Sequence, residues 1–88
     1  MSDQHDPADA VGSITHWYSH LSVAAVRLTK PLKVGDKIHI KGHTTDVTQT
    51  IDSLEVDRKK IEQAKPGDDV ALRVYGHVRD RDLIFRDD

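Results

Sequence analysis

The chain contains no cysteine, which excludes disulfide staples and thiolate metal sites. It also has no long apolar run: nothing approaches the ~20 residues a membrane helix needs. The polar, acidic start, Met1-Ser2-Asp3-Gln4-His5-Asp6, has neither a basic n-region nor an apolar h-region. No signal peptide is therefore expected, and the expected location is cytoplasmic with no membrane association. Catalytic frames are missing too. There is no G-x-x-x-x-G-K-[ST] loop, no G-x-G-x-x-G and no G-x-S-x-G elbow, so nucleotide cradling and serine hydrolysis lack their usual scaffolds. Proline and aromatics are sparse, with three of the former and four of the latter.

What is present fits one small domain. Eighty-eight residues bury only about 60–65% of the surface an unfolded chain exposes, so each apolar position matters. The net charge of −2 is unevenly spread. Asp3, Asp6, Asp9, Asp87 and Asp88 account for five of fifteen acids, leaving ten against thirteen Lys and Arg between positions 11 and 86. Arg27, Lys30, Lys33, Lys37 and Lys41, facing only Asp36, make one basic stretch and Arg58-Lys59-Lys60 another. This bias is milder than the stripe that phosphate-driven binding requires.

Residues 1 to 10 read as a flexible acidic tail, and residues 11 to 88 as the folded unit. "VGSITHWY", "LSVAAVRL", "KIHIKG", "DVTQTIDSLEV", "DVALRVYGHV" and "LIFR" are β-rich runs separated by turn signals, with no sustained helical period. Six short strands so spaced predict an all-β barrel or sandwich. Lys65-Pro66-Gly67-Asp68 and Lys33-Val34-Gly35-Asp36 place glycine where a type II turn requires positive φ. Ala24, Val26 and Leu28 share one face of the second run, Ile38 and Ile40 of the third, and Val70, Leu72 and Val74 of the fifth. In the fourth run Val47 and Ile51 have one parity while Leu54 and Val56 have the other. A bulge or bend near Asp52-Ser53 follows. "DRKKIEQA", residues 57 to 64, either holds one helical turn capped by Asp57 or, more in keeping with its single large apolar residue, is a loop that Ile61 pins to the barrel. No internal repeat is recognised.

"HWYSH", residues 16 to 20, sits where the first run passes to the second. Ile14 and Ala24 are expected inside, with Trp17 and Tyr18 on opposite faces. One ring then covers the barrel end and the other is partly wet. That surface is either a plain cap on a small core or a platform for bases or a protein. His16 with His20, and His39 with His43, have helical metal-pair spacing but do not lie on helices, so no metal site is expected. Arg73-Val74-Tyr75-Gly76 partly matches a flavin-binding R-x-Y-[ST] segment, with Gly76 in place of the hydroxyl residue, and no cofactor is expected.

"RLTKPLKVGDKIHIKG", "TQTIDSLEV", "IEQAKPGDDVALRV" and "RDRDLIFR" together resemble the second domain of translational GTPases such as elongation factor Tu. They are closer still to small translation elongation factor-like proteins built from that domain. The resemblance implies a six-stranded closed antiparallel β-barrel without a GTPase domain. In elongation factor Tu this barrel holds the aminoacyl end of tRNA. The corresponding places here fall near Asp9-Ala10-Val11 and on Asp69, where the family has Asn. Related barrels also end collagenase-like peptidases and RNA-modifying proteins.

These considerations give a non-catalytic binding module that docks RNA or a ribonucleoprotein. Its candidate surface is Trp17, Tyr18 and His20 with Arg58, Lys59 and Lys60, extended by Lys33 and Lys37, with Asp69 from the resemblance. The alternative is a protein-interaction accessory subunit of a collagenase-like peptidase or RNA-modifying enzyme. A small metal- or flavin-using enzyme is a third reading. GTP is not an expected ligand.

Overall fold

The computed structural model describes residues 6–87. The expected flexible tail lies partly on residues 1–5, and Asp88 closes the expected folded unit; both fall outside the described residues. Asp6 caps a short 3-10 turn, Pro7–Asp9, by accepting from the Ala8 N–H at 2.9 Å. Ten strands follow in chain order: β1 Gly12–Tyr18, β2 Val23–Leu28, β3 Leu32–Lys33, β4 Lys37–Lys41, β5 Asp46–Thr50, β6 Leu54–Val56, β7 Lys59–Ile61, β8 Gln63–Ala64, β9 Asp69–Arg73 and β10 Leu83–Arg86. Eight form one curled antiparallel sheet in the order β5-β4-β10-β1-β2-β9-β6-β7, and β3 pairs with β8 separately. No helix among the described residues is long and apolar enough to cross a membrane.

The alternation in the sequence fixes the core. Ala24, Val26, Leu28, Ile38, Ile40, Val70, Leu72 and Val74 are all buried, joined by Ile14, Ile51, Leu54 and Ile84. Burying such aliphatic side chains contributes roughly 1.5–3 kcal/mol each before chain entropy is opposed to it. Both predicted glycine turns are present: Gly35 has φ +99° and Gly67 φ +90°. In each, the Asp side chain accepts the N–H of the Lys three residues earlier, at 3.0 Å for Asp36 and 3.1 Å for Asp68.

The sheet has an approximate two-fold symmetry that residue identities conceal. Leu32-Lys33-Val34-Gly35-Asp36 and Ala64-Lys65-Pro66-Gly67-Asp68 align, and Leu32 pairs directly with Ala64. Gly35 N–H donates to the Ile51 carbonyl as Gly67 N–H donates to that of Leu28, both at 2.8 Å. Ile40 faces Ile84 just as Leu72 faces Leu54. The two turns and the strands that follow them share backbone grammar and apolar parity but few side chains.

This symmetry explains why the expected six-stranded closed barrel is not formed. On one side β1, seven residues long, bridges β10 to β2. Its counterpart β7 has three residues and pairs only with β6. The ladder is therefore open between β5 and β7, and the sheet is a half-barrel. The predicted bend at Asp52-Ser53 is a complete break: β5 and β6 end up near opposite flanks of the sheet. Residues 57 to 64 form neither a helical turn nor a plain loop but carry β7 and β8. Asp57 and Arg58, at φ +52° and +67°, instead form the tight turn of the β6–β7 hairpin, because two consecutive positive φ values match the twist of paired strands. The Ile61 expectation holds, since it packs against the core.

Gln49 of β5 ties this edge strand to the end of β9. Its amide nitrogen donates to the Arg73 carbonyl and its oxygen accepts from the Tyr75 N–H, each at 2.8 Å. A side-chain amide here does the work of a missing ladder residue. Gln49→Ala leaves both backbone groups unpaired and is expected to cost about 1–3 kcal/mol. Urea unfolding checks this, and protection of the Tyr75 amide against exchange should fall first.

Candidate docking surface

The β1–β2 hairpin places the "HWYSH" side chains through a bulge. Pairing shifts register between Ile14 and His16, so Thr15 is the extra residue. Without that shift Ile14, His16 and Tyr18 would share the inner face. With it, Trp17 turns inward and packs against the core, while His16 and Tyr18 face out with ring centroids 4.3 Å apart. Asp80 fixes the bend by accepting the Trp17 N–H at 2.8 Å, and lies 3.8 Å from His16 Nδ1. The Trp17 ring meets His77 edge-on at 6.3 Å. Its Nε1 is buried without a hydrogen-bond partner among the described residues. Trp17 and Tyr18 therefore lie on opposite faces as expected.

Among the described residues, three of the four exposed large hydrophobics gather around this hairpin end: Tyr18, Leu21 and Tyr75, at 46, 63 and 61% exposure. Tyr18, Leu21, Val23 and Ala71 line an apolar cleft of about 250 Å³, rimmed by Arg73 and Glu55. A second cleft of about 490 Å³, containing Trp17, Tyr75 and His77, shares Arg73 with the first. Exposed apolar side chains clustered in this way mark interaction surfaces more often than scattered ones do. Leu21 was not singled out from the sequence, and Tyr75 drew notice only within the partial flavin-type motif. The available signal was a large apolar residue in a turn, beside Ser22 in one case and Gly76 in the other.

Tyr75 also carries an electrostatic mark. Its hydroxyl donates to Asp52, and this hydrogen bond, more than burial, raises the phenol above the ordinary tyrosine pKa. A raised folded-state value favours the neutral phenol, so this contact stabilises the fold below the ordinary tyrosine pKa. The contribution fades as pH rises through the folded value. In a Tyr18→Phe background, absorbance titration should show Tyr75 ionising late, and Asp52→Asn should bring it back down.

The other expected site residues are dispersed. His20 is exposed in the β1–β2 turn near Trp17 and Tyr18. Lys33 and Lys37 flank the first glycine turn, at the far end of β2, about 17 Å away at 3.3 Å per residue. Arg58, Lys59 and Lys60 are exposed on the β6–β7 hairpin, where lysines guard a sheet edge against further pairing. Asp69 is engaged by Arg27 at 2.7 Å, a contact that raises the arginine pKa further. The structure does not join these groups into one surface. Neither histidine pair assembles a cluster of three or more metal-ligating residues among those described.

No family model matches the chain. The uncharacterized protease MJ0090 of Methanocaldococcus jannaschii is 34% identical over 76 residues, covering 85% of this chain but only 19% of that protein. The chain thus spans about one fifth of the relative it matches. Among solved structures, the C-terminal domain of a Geobacillus thermoleovorans candidate U32 peptidase superposes with a TM-score of 0.87 at 15% identity. That match covers 98% of this chain and 100% of the other. The selenomethionine variant of the same domain gives 0.82 at 16%, over 88 and 98%. At such identities the likeness shows the fold alone. These matches overturn the translation-factor resemblance. The physical reason lies within the chain: Lys-x-Gly-Asp followed by alternating aliphatics occurs here twice, so it marks a kind of turn and not a lineage. The fold is the one seen in the Geobacillus thermoleovorans domain and the sequence matches a segment of the M. jannaschii protein; neither points to an elongation factor domain.

Proposed function

We propose that this chain is a non-catalytic accessory domain that docks a peptidase-type catalytic module through Tyr18, Leu21 and Tyr75. The supporting observation is the 34% identical match to a fifth of a protein described as a protease. A segment of that size is an adjunct to a larger body. The apolar hairpin end supplies a surface with the right character: aromatic anchors around a cleft, with a charged rim. The RNA reading combined the Trp17, Tyr18 and His20 platform with basic residues that lie in separate places, and the resemblance behind it is overturned.

Replacing the matching segment of the M. jannaschii relative with this chain tests the proposal. The chimera is expected to unfold in one cooperative transition. Tyr18→Glu with Leu21→Glu should split that transition in two, while leaving the melting temperature of the separate 88-residue chain unchanged. Independent unfolding of the two parts before any substitution would rule docking out.

A further inference from the structure

At the end of β2 away from the apolar surface, the two Lys-x-Gly-Asp turns open on a shared groove of about 750 Å³. Leu32 and Ala64, paired across β3 and β8, contribute its apolar floor. Its charged lining is Lys33, Lys65, Arg86, Asp36 and Asp68. Three cations against two carboxylates leave one net positive charge. Both carboxylates are already engaged, since each accepts a lysine backbone N–H. The Arg86 guanidinium is held in place by the Pro31 carbonyl and by Asp36 Oδ2, 3.6 Å from its Nε, yet its side chain is still 34% exposed.

The backbone offers an anion little. Val34 N–H donates to the Glu62 carbonyl, Gly35 to Ile51, Gly67 to Leu28, and Asp36 and Asp68 back to Lys33 and Lys65. The turns therefore form no amide nest of the kind that cradles phosphate. Recognition falls to the side-chain cations, and a dianionic phosphate would also meet two fixed carboxylates. A monoanionic carboxylate matches the single net charge, with Lys33 and Lys65 as its main partners and the part of the Arg86 guanidinium not engaged by Pro31 and Asp36 beside them. The floor can take the aliphatic part of the residue that bears it.

We propose that this groove binds the carboxylate of a peptide, either a chain end or an acidic side chain. The inference stands on the paired turns and does not depend on the docking proposal.

The test is an NMR titration of the whole chain with three N-acetylated pentapeptides of Ala and Gly. One has a free C-terminus, one is amidated, and one is amidated with a central Glu. Inorganic phosphate is a fourth probe. The expected result is saturable shifts around Lys33, Lys65 and Arg86 with the first peptide, the third, or both; which of them binds identifies the source of the carboxylate. Lys33→Gln with Lys65→Gln should weaken binding roughly tenfold, a few-fold for each exposed charge pair, and added salt should weaken it as well. The proposal is overturned if the neutral amidated peptide binds equally or phosphate binds more tightly. It is overturned too if no peptide binds at millimolar concentration, or if the double variant keeps both its spectrum and its affinity.

Discussion

Leu72→Ala is expected to lower stability by about 3–4 kcal/mol, a large part of the ~5–10 kcal/mol a domain of this size possesses. Leu72 is fully buried and sits in β9 between Ala24 of β2 and Leu54 of β6. With strands hydrogen-bonded on both sides, the backbone around it has little freedom to collapse into the space left by the lost methyl groups. The cost therefore includes the cavity as well as the lost transfer energy. Denaturant unfolding checks this, with Tyr18→Ala as the contrast. Tyr18 is half exposed at the hairpin end, and its truncation is expected to stay within about 1 kcal/mol. Equal losses in the two variants would contradict the placement of the core inside the curl of the sheet.

Gly42→Ala should be nearly as damaging, for a different reason. A Cβ there would lie 1.8 Å from Asp82 Oδ1 and 2.5 Å from its Cγ. Asp82 is buried and has little room to yield. Its Oδ2 accepts the Arg79 N–H at 2.8 Å, and its carbonyl accepts the Ile14 N–H at the same distance. Displacing the carboxylate strips Arg79 of its partner and strains the tie between the 79–82 loop and β1. A loss of about 2–3 kcal/mol is expected. The double-mutant cycle is decisive here. In an Asp82→Ala background the obstacle is gone, so Gly42→Ala should cost under about 1 kcal/mol there. Additive losses would show that the two residues do not interact.

The candidate surface was only half legible. Trp17 and Tyr18 drew attention as adjacent aromatics at a strand end, and their opposite-face placement was foreseen. Leu21 carries no signal in the sequence, and Tyr75 signals only a partial flavin-type motif, because an isolated apolar residue in a turn is uninformative until the fold sets it beside others. The basic residues were misleading for a related reason. Lys59 and Lys60 are near Lys33 and Lys37 in composition, yet they guard a strand edge and lie in a different part of the sheet.

Two neighbouring features show where local information stops. The Lys-x-Gly-Asp turns were readable because positive φ at glycine and a capping Asp are settled within four residues. Thr15 as a bulge was not, since a register shift exists only relative to the strand that pairs with it. The same holds for Gly42, whose intolerance of a side chain comes from Asp82, forty positions away in the chain.

By itself the sequence determined the β character of the chain, its glycine turns, and which aliphatic residues face inward, because period-two patterning and turn stereochemistry act over a few residues. Only the tertiary structure decided that the barrel stops short of closure, that Gln49 ties β5 to the end of β9, and that the two glycine turns meet through the β3–β8 pair. Those outcomes depend on how far β7 extends beside β5 and on which backbone groups meet across the sheet, and pairing between distant segments is not written in either segment alone.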